Sequence, residues 1–259
     1  MLRVSNLHCH AGGRPVVQDI TTDFGPGLLH VIVGPNGSGK STFLKAFSGE
    51  WPIASGDVYY DDLPLSRISK PELARRRAVM SQLPELHFPF RVDDIVMMGR
   101  YPHFSFRPTR HDVEVCRQAM ERLSVLSLAD RDYLTLSGGE RQRVQFARAL
   151  AQISDPPATG SRYLFLDEPV SSLDIHFQHQ FLGLARDLVK DNMIIIAVLH
   201  DLNLALQYAD RMLFLKEGRV VAAGAPPGIV TPELIRKVFA LPARLLEDPL
   251  GHRPVIVYG

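Results

Sequence analysis

The sequence is poor in cysteine, has no surplus of either charge, and contains no hydrophobic run of membrane-spanning length. Its two cysteines, Cys9 and Cys116, lie far apart without CxxC spacing, which excludes a disulfide framework or a thiolate zinc site and fits a reducing compartment. With 29 basic against 28 acidic residues, nothing in the charge balance would hold a nucleic acid through its phosphates. The longest aliphatic run, Met193 to Leu199, falls well short of the roughly 20 apolar residues that cross a bilayer. The opening Met1-Leu2-Arg3-Val4-Ser5-Asn6 lacks the apolar stretch of a secretory signal, so the chain is expected in the cytosol, meeting a membrane only through a partner. Low-complexity tracts, charge blocks, internal repeats and coiled-coil heptads are also missing. What remains is 259 residues, enough for one large domain, or a core with a subdomain, around a sizeable apolar interior.

Against that background one segment stands out: Gly34-Pro35-Asn36-Gly37-Ser38-Gly39-Lys40-Ser41-Thr42, preceded by the apolar run Leu28 to Val33. A strand, a glycine-rich turn and a helix from about Lys40 make a P-loop, in which backbone N–H groups wrap a phosphate and the helix offers its positive end to the anion. Lys40 is placed to reach the β and γ phosphates of ATP, and the Ser41 hydroxyl to ligate Mg²⁺. Far downstream, Tyr163 to Asp167 reads as a buried strand ending in Asp167-Glu168-Pro169. Neighbouring side chains there point to opposite faces, so Asp167 is assigned to Mg²⁺ and Glu168 to the attacking water as general base. Between the two lies Leu136-Ser137-Gly138-Gly139-Glu140, a capping box with Ser137 as N-cap. As a bare cap it would be commonplace, but two glycines in a first turn cost about 1 kcal/mol each relative to alanine. A close approach to that backbone, by a phosphate, explains them.

The runs Ala78 to Gln82, Tyr163 to Asp167 and Met193 to His200 are continuous rather than alternating, as in strands covered on both faces of a parallel sheet. Ligands gather beyond the carboxyl ends of such strands, which would bring Gln82, Asp167, His200 and the P-loop to one site. Leu2 to Cys9 and Val16 to Phe24 flank Gly12-Gly13, and Arg211 to Lys216 and Arg219 to Ala223 flank Glu217-Gly218, as antiparallel hairpins do. Helical patterning dominates from Pro84 to about Gly160, with Asp112 to Leu126 and Gly138 to Gln152 as the best helices, followed by a loop from Ser154 to Ser161. After Pro232 a short helix to Ala240 leads to two small strands around Asp248-Pro249-Leu250-Gly251. The expected fold is α/β: a P-loop NTPase core with a mostly parallel sheet (1–83 and 162–259), an N-terminal antiparallel β subdomain and an inserted α-helical subdomain (84–161). Arg75-Arg76-Arg77 reads as a solvated face, and His176 with His179 as a helix surface. His87, His103 and His111 suggest haem ligation only superficially.

The ordered set of P-loop, Gln82, Leu-Ser-Gly-Gly-Glu, Asp167-Glu168, Ser172-Leu173-Asp174 and His200 resembles the motifs of ATP-binding-cassette ATPases over nearly the whole chain. The resemblance implies ATP hydrolysis with Mg²⁺ by a head-to-tail homodimer. In it Ser137, Gly138, Gly139 and Glu140 close over the nucleotide of the second copy, Asp174 crosses the seam, Gln82 senses γ-phosphate and metal, and His200 contacts the γ-phosphate. Members of the family usually stack an aromatic residue on adenine near His8-Cys9-His10-Ala11; here His10 would substitute. Met98-Gly99-Arg100-Tyr101-Pro102-His103 is similar to a segment of importers for iron siderophores, haem and cobalamin, and the length and C-terminal hairpin look most like the haem-importing ATPases. That implies two transmembrane permease subunits, a periplasmic substrate-binding protein acting indirectly, and a place on the cytoplasmic face of the bacterial inner membrane. The alternatives are the same role for a ferric siderophore or cobalamin, and a soluble non-transport cassette ATPase.

Overall fold

The computed structural model describes residues 1–81, 88–157, 159–171, 173–191, 193–247 and 253–259. Along the chain the strands are β1 (Leu2–Ala11), β2 (Arg14–Phe24), β3 (Leu29–Val33), β4 (Ser55–Tyr60), β5 (Leu63–Pro64), β6 (Arg77–Met80), β7 (Arg162–Asp167), β8 (Met193–Val198), β9 (Arg211–Lys216), β10 (Arg219–Gly224), β11 (Ala243–Leu246) and β12 (Val255–Tyr258). The α-helices are α1 (Lys40–Phe47), α2 (Lys70–Arg76), α3 (Val92–Met98), α4 (Arg110–Arg122), α5 (Gly138–Gln152), α6 (Ile175–Leu188), α7 (Leu202–Tyr208), α8 (Pro226–Ile229) and α9 (Pro232–Phe239). The fold is α/β, with parallel and antiparallel strands in the pattern expected. Two compact units form, one from Met1–Arg67 with Leu182–Gly259, the other from Ile68–Phe181.

In the first unit β3 runs parallel to both β8 and β9, and β10 closes antiparallel on β9. Every residue of β3 and β8 is buried, which is why both read as unbroken aliphatic runs. Phe43 and Phe47 of α1 meet edge-on at 5.0 Å, and Phe24 of β2 lies 5.6 Å from Phe47 and 6.4 Å from Phe43. Burying each ring contributes about 1.5–3 kcal/mol, and the cluster fixes α1 on the N-terminal sheet. That sheet is antiparallel, in the order β2-β1-β4-β5. The expected turns are present, with left-handed φ at Gly12 and Gly13 (55° and 78°) and at Glu217 and Gly218 (50° and 75°), the conformation of a tight hairpin. The strand β4 was not anticipated. Its opening Ser55-Gly56-Asp57 is exposed and reads as a turn, yet it pairs along β1 from Leu2↔Tyr60 to His8↔Ser55.

In the second unit β6 and β7 are parallel, registered from Arg77↔Tyr163 to Met80↔Leu166. The helix α5 has the bounds its capping box suggests, and it packs on α3 and α4. The helix α4 begins two residues earlier than expected, because Thr109 is its N-cap and Asp112 the reciprocating third residue. It also ends earlier, at Arg122, before Ser124 turns left-handed (φ 54°). Arg75 and Arg76 are not a simply solvated face. Arg75 Nε donates to the Pro102 carbonyl at 2.6 Å, and Arg76 pairs with Glu72 at 2.8 Å. Beyond β11 the expected Asp248-Pro249-Leu250-Gly251 turn lies outside the described residues, while the strands flanking it, β11 and β12, are paired.

Candidate nucleotide site

The loop between β3 and α1 is shaped by its glycines in two different ways. A Cβ on Gly34 would lie 2.1 Å from the Leu215 carbonyl oxygen, and one on Gly39 would lie 2.7 Å from that of Val16, so both positions are closed to any side chain. Gly37 has open space around it but takes φ 76°, and Gly39 takes φ 96°, backbone that L-residues seldom adopt. The loop is tied down by Ser38 N–H donating to Pro35 and by Gly218 N–H donating to Ser38. Asn36 and Gly37 form the exposed tip, and Pro35, Ser41 and Thr42 are half-buried.

Two polar groups are sequestered here. Lys40 is 5% exposed, and its Nζ donates to the carbonyls of Gly34 at 2.9 Å and Pro35 at 3.0 Å. Ser38 is 3% exposed, and its buried Oγ has no hydrogen-bond partner among the described residues. A buried hydroxyl without a partner costs roughly 1–3 kcal/mol, and it lies at the positive end of a helix with no acid in its first turn. An ammonium, an unmatched hydroxyl and a helix N-terminus together suit a polyphosphate.

His200 follows β8, and Leu199 N–H donates to the Ile32 carbonyl. The His200 ring is thus exposed beyond the carboxyl end of the strand beside β3, in the same unit as the P-loop. Asp201 caps α7, accepting from Asn203 N at 2.7 Å and Leu204 N at 3.0 Å. His10 lies on β1 with its side chain exposed, and its carbonyl accepts from Trp51 Nε1 at 3.1 Å.

The second unit carries the acidic strand end and the capped helix. Asp167 is 5% exposed at the end of β7. Glu168 adopts φ 54°, a left-handed conformation that costs a non-glycine residue about 1–3 kcal/mol and recurs at functional sites. Ser171 Oγ holds the Glu168 carbonyl at 3.1 Å. At the head of α5 the capping box is complete: Glu140 N–H donates to Ser137 Oγ at 3.3 Å, and Ser137 N–H to Glu140 Oε2 at 2.8 Å. That amide and the Ser137 hydroxyl hold the Glu140 carboxyl below the usual carboxylate range. Among the described residues nothing lies within 4 Å of a Cβ built on Gly138, and only Leu173 Cδ2, at 3.4 Å, approaches one on Gly139. Neither glycine takes a left-handed φ, so no neighbour among the described residues requires them. Asp174 Oδ1 accepts from Phe177 N at 3.0 Å, a helix-capping role the sequence reading did not assign. Gln82, Ser172 and His87 lie outside the described residues.

Two polar links were not foreseen. Gln142 Nε2 donates to the Pro169 carbonyl, and Gln178 Nε2 donates to the carbonyls of Val170 at 3.2 Å and Leu173 at 3.0 Å. His103 and His111 are engaged internally, with Gln152 O and Asp155 respectively, each at 2.8 Å. Among the described residues no group of three or more His, Cys, Asp or Glu could hold a metal ion, and no helix is long and apolar enough to cross a membrane.

Residues 17–171 match the sequence pattern of a family described as ABC transporter. The chain is 44% identical over 244 residues to a hemin import ATP-binding protein HmuV of Hahella chejuensis, covering 94% of each chain. It is 40% identical over 258 residues to the protein of that name in Escherichia coli O157:H7, covering 99% of each. Among solved structures, a metal-chelate type ABC transporter in an inward-facing conformation superposes with a TM-score of 0.84 at 28% identity, over 100% of this chain and 96% of that one.

Proposed function

Because this chain belongs to the ABC transporter family, as an ATP-binding and ATP-hydrolysing importer subunit, we propose that its cargo is haem. The reading is carried by one observation: relatives named for hemin import are 40–44% identical over nearly the full length. The likeness to a metal-chelate type transporter supports an iron chelate as the second reading, with a ferric siderophore or cobalamin in place of haem.

Lys40 and the loop amides from Gly34 to Gly39 bind the β and γ phosphates, and Ser38 Oγ gains the partner it otherwise lacks. Ser41, Asp167 and Gln82 would hold Mg²⁺, which when bound offsets phosphate charge. Glu168 accepts the proton of the attacking water, and His200 orients the γ-phosphate. His10 lies against adenine. Ser137, Gly138, Gly139 and Glu140 close over the nucleotide of a second copy, with Asp174 at the seam. The open space above Gly138 supports this arrangement, because a partner's phosphate needs it and none of the described residues does.

ATP closes the homodimer, and hydrolysis reopens it. Two permease subunits carry the motion across the inner membrane, on whose cytoplasmic face the chain sits, and a periplasmic protein delivers the cargo to them. The test is to co-purify the chain with the permease encoded beside it and to measure ATP-dependent uptake into proteoliposomes. Haem uptake is expected. Uptake of a siderophore or cobalamin with none of haem would overturn the cargo, and the absence of any permease partner would overturn the transport role.

A further inference from the structure

The last carbonyls of a helix have no partner within it and must find donors elsewhere. At the end of α5, Leu150 O accepts from Ser154 Oγ at 2.8 Å, but the next two carbonyls are met from one distant segment. Arg100 NH1 donates to Ala151 O at 2.8 Å, and His103 Nε2 lies 2.8 Å from Gln152 O. A carbonyl can only accept, so that ring nitrogen bears the proton. The approach is close as well: a Cβ on the adjoining Gly99 would stand 2.3 Å from the Arg148 carbonyl oxygen. Arg100 is 1% exposed and is fixed in turn by Asp112 at 2.9 Å and Asp155 at 2.5 Å. Between the two anchors, Tyr101 is 59% exposed, and Phe106 just beyond is 98% exposed. The 3₁₀ turn Tyr101–His103 is closed by His103 N–H donating to Arg100 O at 2.8 Å.

An exposed aromatic surface is therefore bolted at three points to one end of a 15-residue helix whose other end is the Ser137 cap. Such a helix is a rod of about 22 Å, and packed cores transmit displacement rather than absorb it. We propose that Arg100 and His103 are positioning residues: they make the segment carrying Tyr101 and Phe106 move as one piece with α5, so that a load on that surface shifts Ser137. This rests on the permease reading above, since the permease would apply the load. Neither residue is part of the proposed nucleotide site. Their contribution is to coupling, and ATP turnover by the chain alone does not depend on it.

Truncating Arg100 would take the guanidinium partner from Asp112 and Asp155 and risk unfolding, so His103 carries the test. His103→Leu removes the donor to Gln152 O at similar volume, while His103→Gln keeps an amide N–H in reach. In the assembled complex, ATP-dependent uptake by His103→Leu should fall about tenfold, the scale of one lost hydrogen bond between neighbouring elements. ATPase of the isolated chain should stay within about twofold, and His103→Gln should recover uptake. Equal losses in uptake and isolated-chain ATPase would show a merely structural role, and unchanged uptake would show none; either overturns the proposal. A wild-type chain whose ATPase ignores the permease would overturn the transport reading itself and this inference with it.

Discussion

Gln142, the fifth residue of α5, donates its side-chain amide to the carbonyl of Pro169, the residue directly after Glu168. The bond ties the helix that begins at Ser137 to the backbone that holds Glu168 at φ 54°. A strained residue keeps its conformation only while its surroundings over-determine it. Gln142→Leu, which keeps the buried volume but removes the donor, should let Glu168 relax. Turnover should fall about 10- to 100-fold, the cost of a small misplacement of a reacting group, with little change in KM. Steady-state ATPase kinetics check this. An unchanged kcat would show that Glu168 holds its place without Gln142.

Binding and hydrolysis should separate cleanly at Lys40 and Glu168. Lys40 makes charge-assisted bonds from a buried position, and two such bonds to phosphate at about 1.5–3 kcal/mol each amount to more than a hundredfold in affinity. Lys40→Ala should lose both nucleotide binding and turnover. Glu168→Gln keeps the shape but cannot accept a proton, so ATP affinity should persist while hydrolysis drops about 10²–10⁴-fold and the dimer stays closed. Equilibrium binding of a fluorescent ATP analogue, run beside phosphate release and size-exclusion chromatography, distinguishes the two. Normal hydrolysis by Glu168→Gln would refute its role as base.

How far this could be read from residues alone depends on the range of the interaction. The core of β3, the loop and α1 is a local code of aliphatic run, glycines and Lys40, and the bounds of α5 follow from a cap and its reciprocating glutamate three residues on. Strand β4 was missed because its pairing with β1 bridges some fifty residues and its first three positions are exposed. The burial of Arg100 depends on Asp155, 55 positions away, and no local pattern announces it. The left-handed Glu168 was equally hidden, since glutamate has no preference for that conformation. At the site, residue types pointed to the chemistry, whereas the groups that hold those residues in place are long-range and had to be seen.

Stability should fall in mild acid through His30. The ring is 3% exposed on β3, edge-on to Phe24, and its Nε2 donates to the Gly25 carbonyl at 2.9 Å. Desolvation by burial is the largest influence and holds its pKa below the ordinary value. Arg211 acts the same way, and Asp23, Asp210 and the Gly25 bond oppose it. The unfolded chain therefore takes up a proton near pH 6.5 that the folded chain resists. The contribution is complete above that pH and is lost as pH drops from about 6.5 toward the depressed folded value, with a slope of at most about 1.4 kcal/mol per pH unit. His30→Gln keeps a donor for Gly25 and cannot titrate. Urea midpoints between pH 8 and pH 5.5 should decline less steeply in the variant, and parallel profiles would show that His30 is not the sensor.

Gly138 gives the sharpest separation of stability from function. It occupies the first position of α5 without a left-handed φ, and a methyl there meets none of the described residues within 4 Å. For the isolated chain alanine is the better residue, and Gly138→Ala should stabilise it by about 0.5 kcal/mol, or raise Tm by about 1–2 °C at this size. If the space is kept clear for a partner's nucleotide, the same methyl should weaken ATP-dependent dimerisation and slow turnover about tenfold or more, since a clash in a packed interface costs upwards of about 1 kcal/mol. Melting curves, sedimentation with ATP in the Glu168→Gln background, and ATPase rates test both halves. A variant that is more stable and fully active would mean that no phosphate reaches Gly138, and the proposed sharing of nucleotide between two copies would fail at that contact.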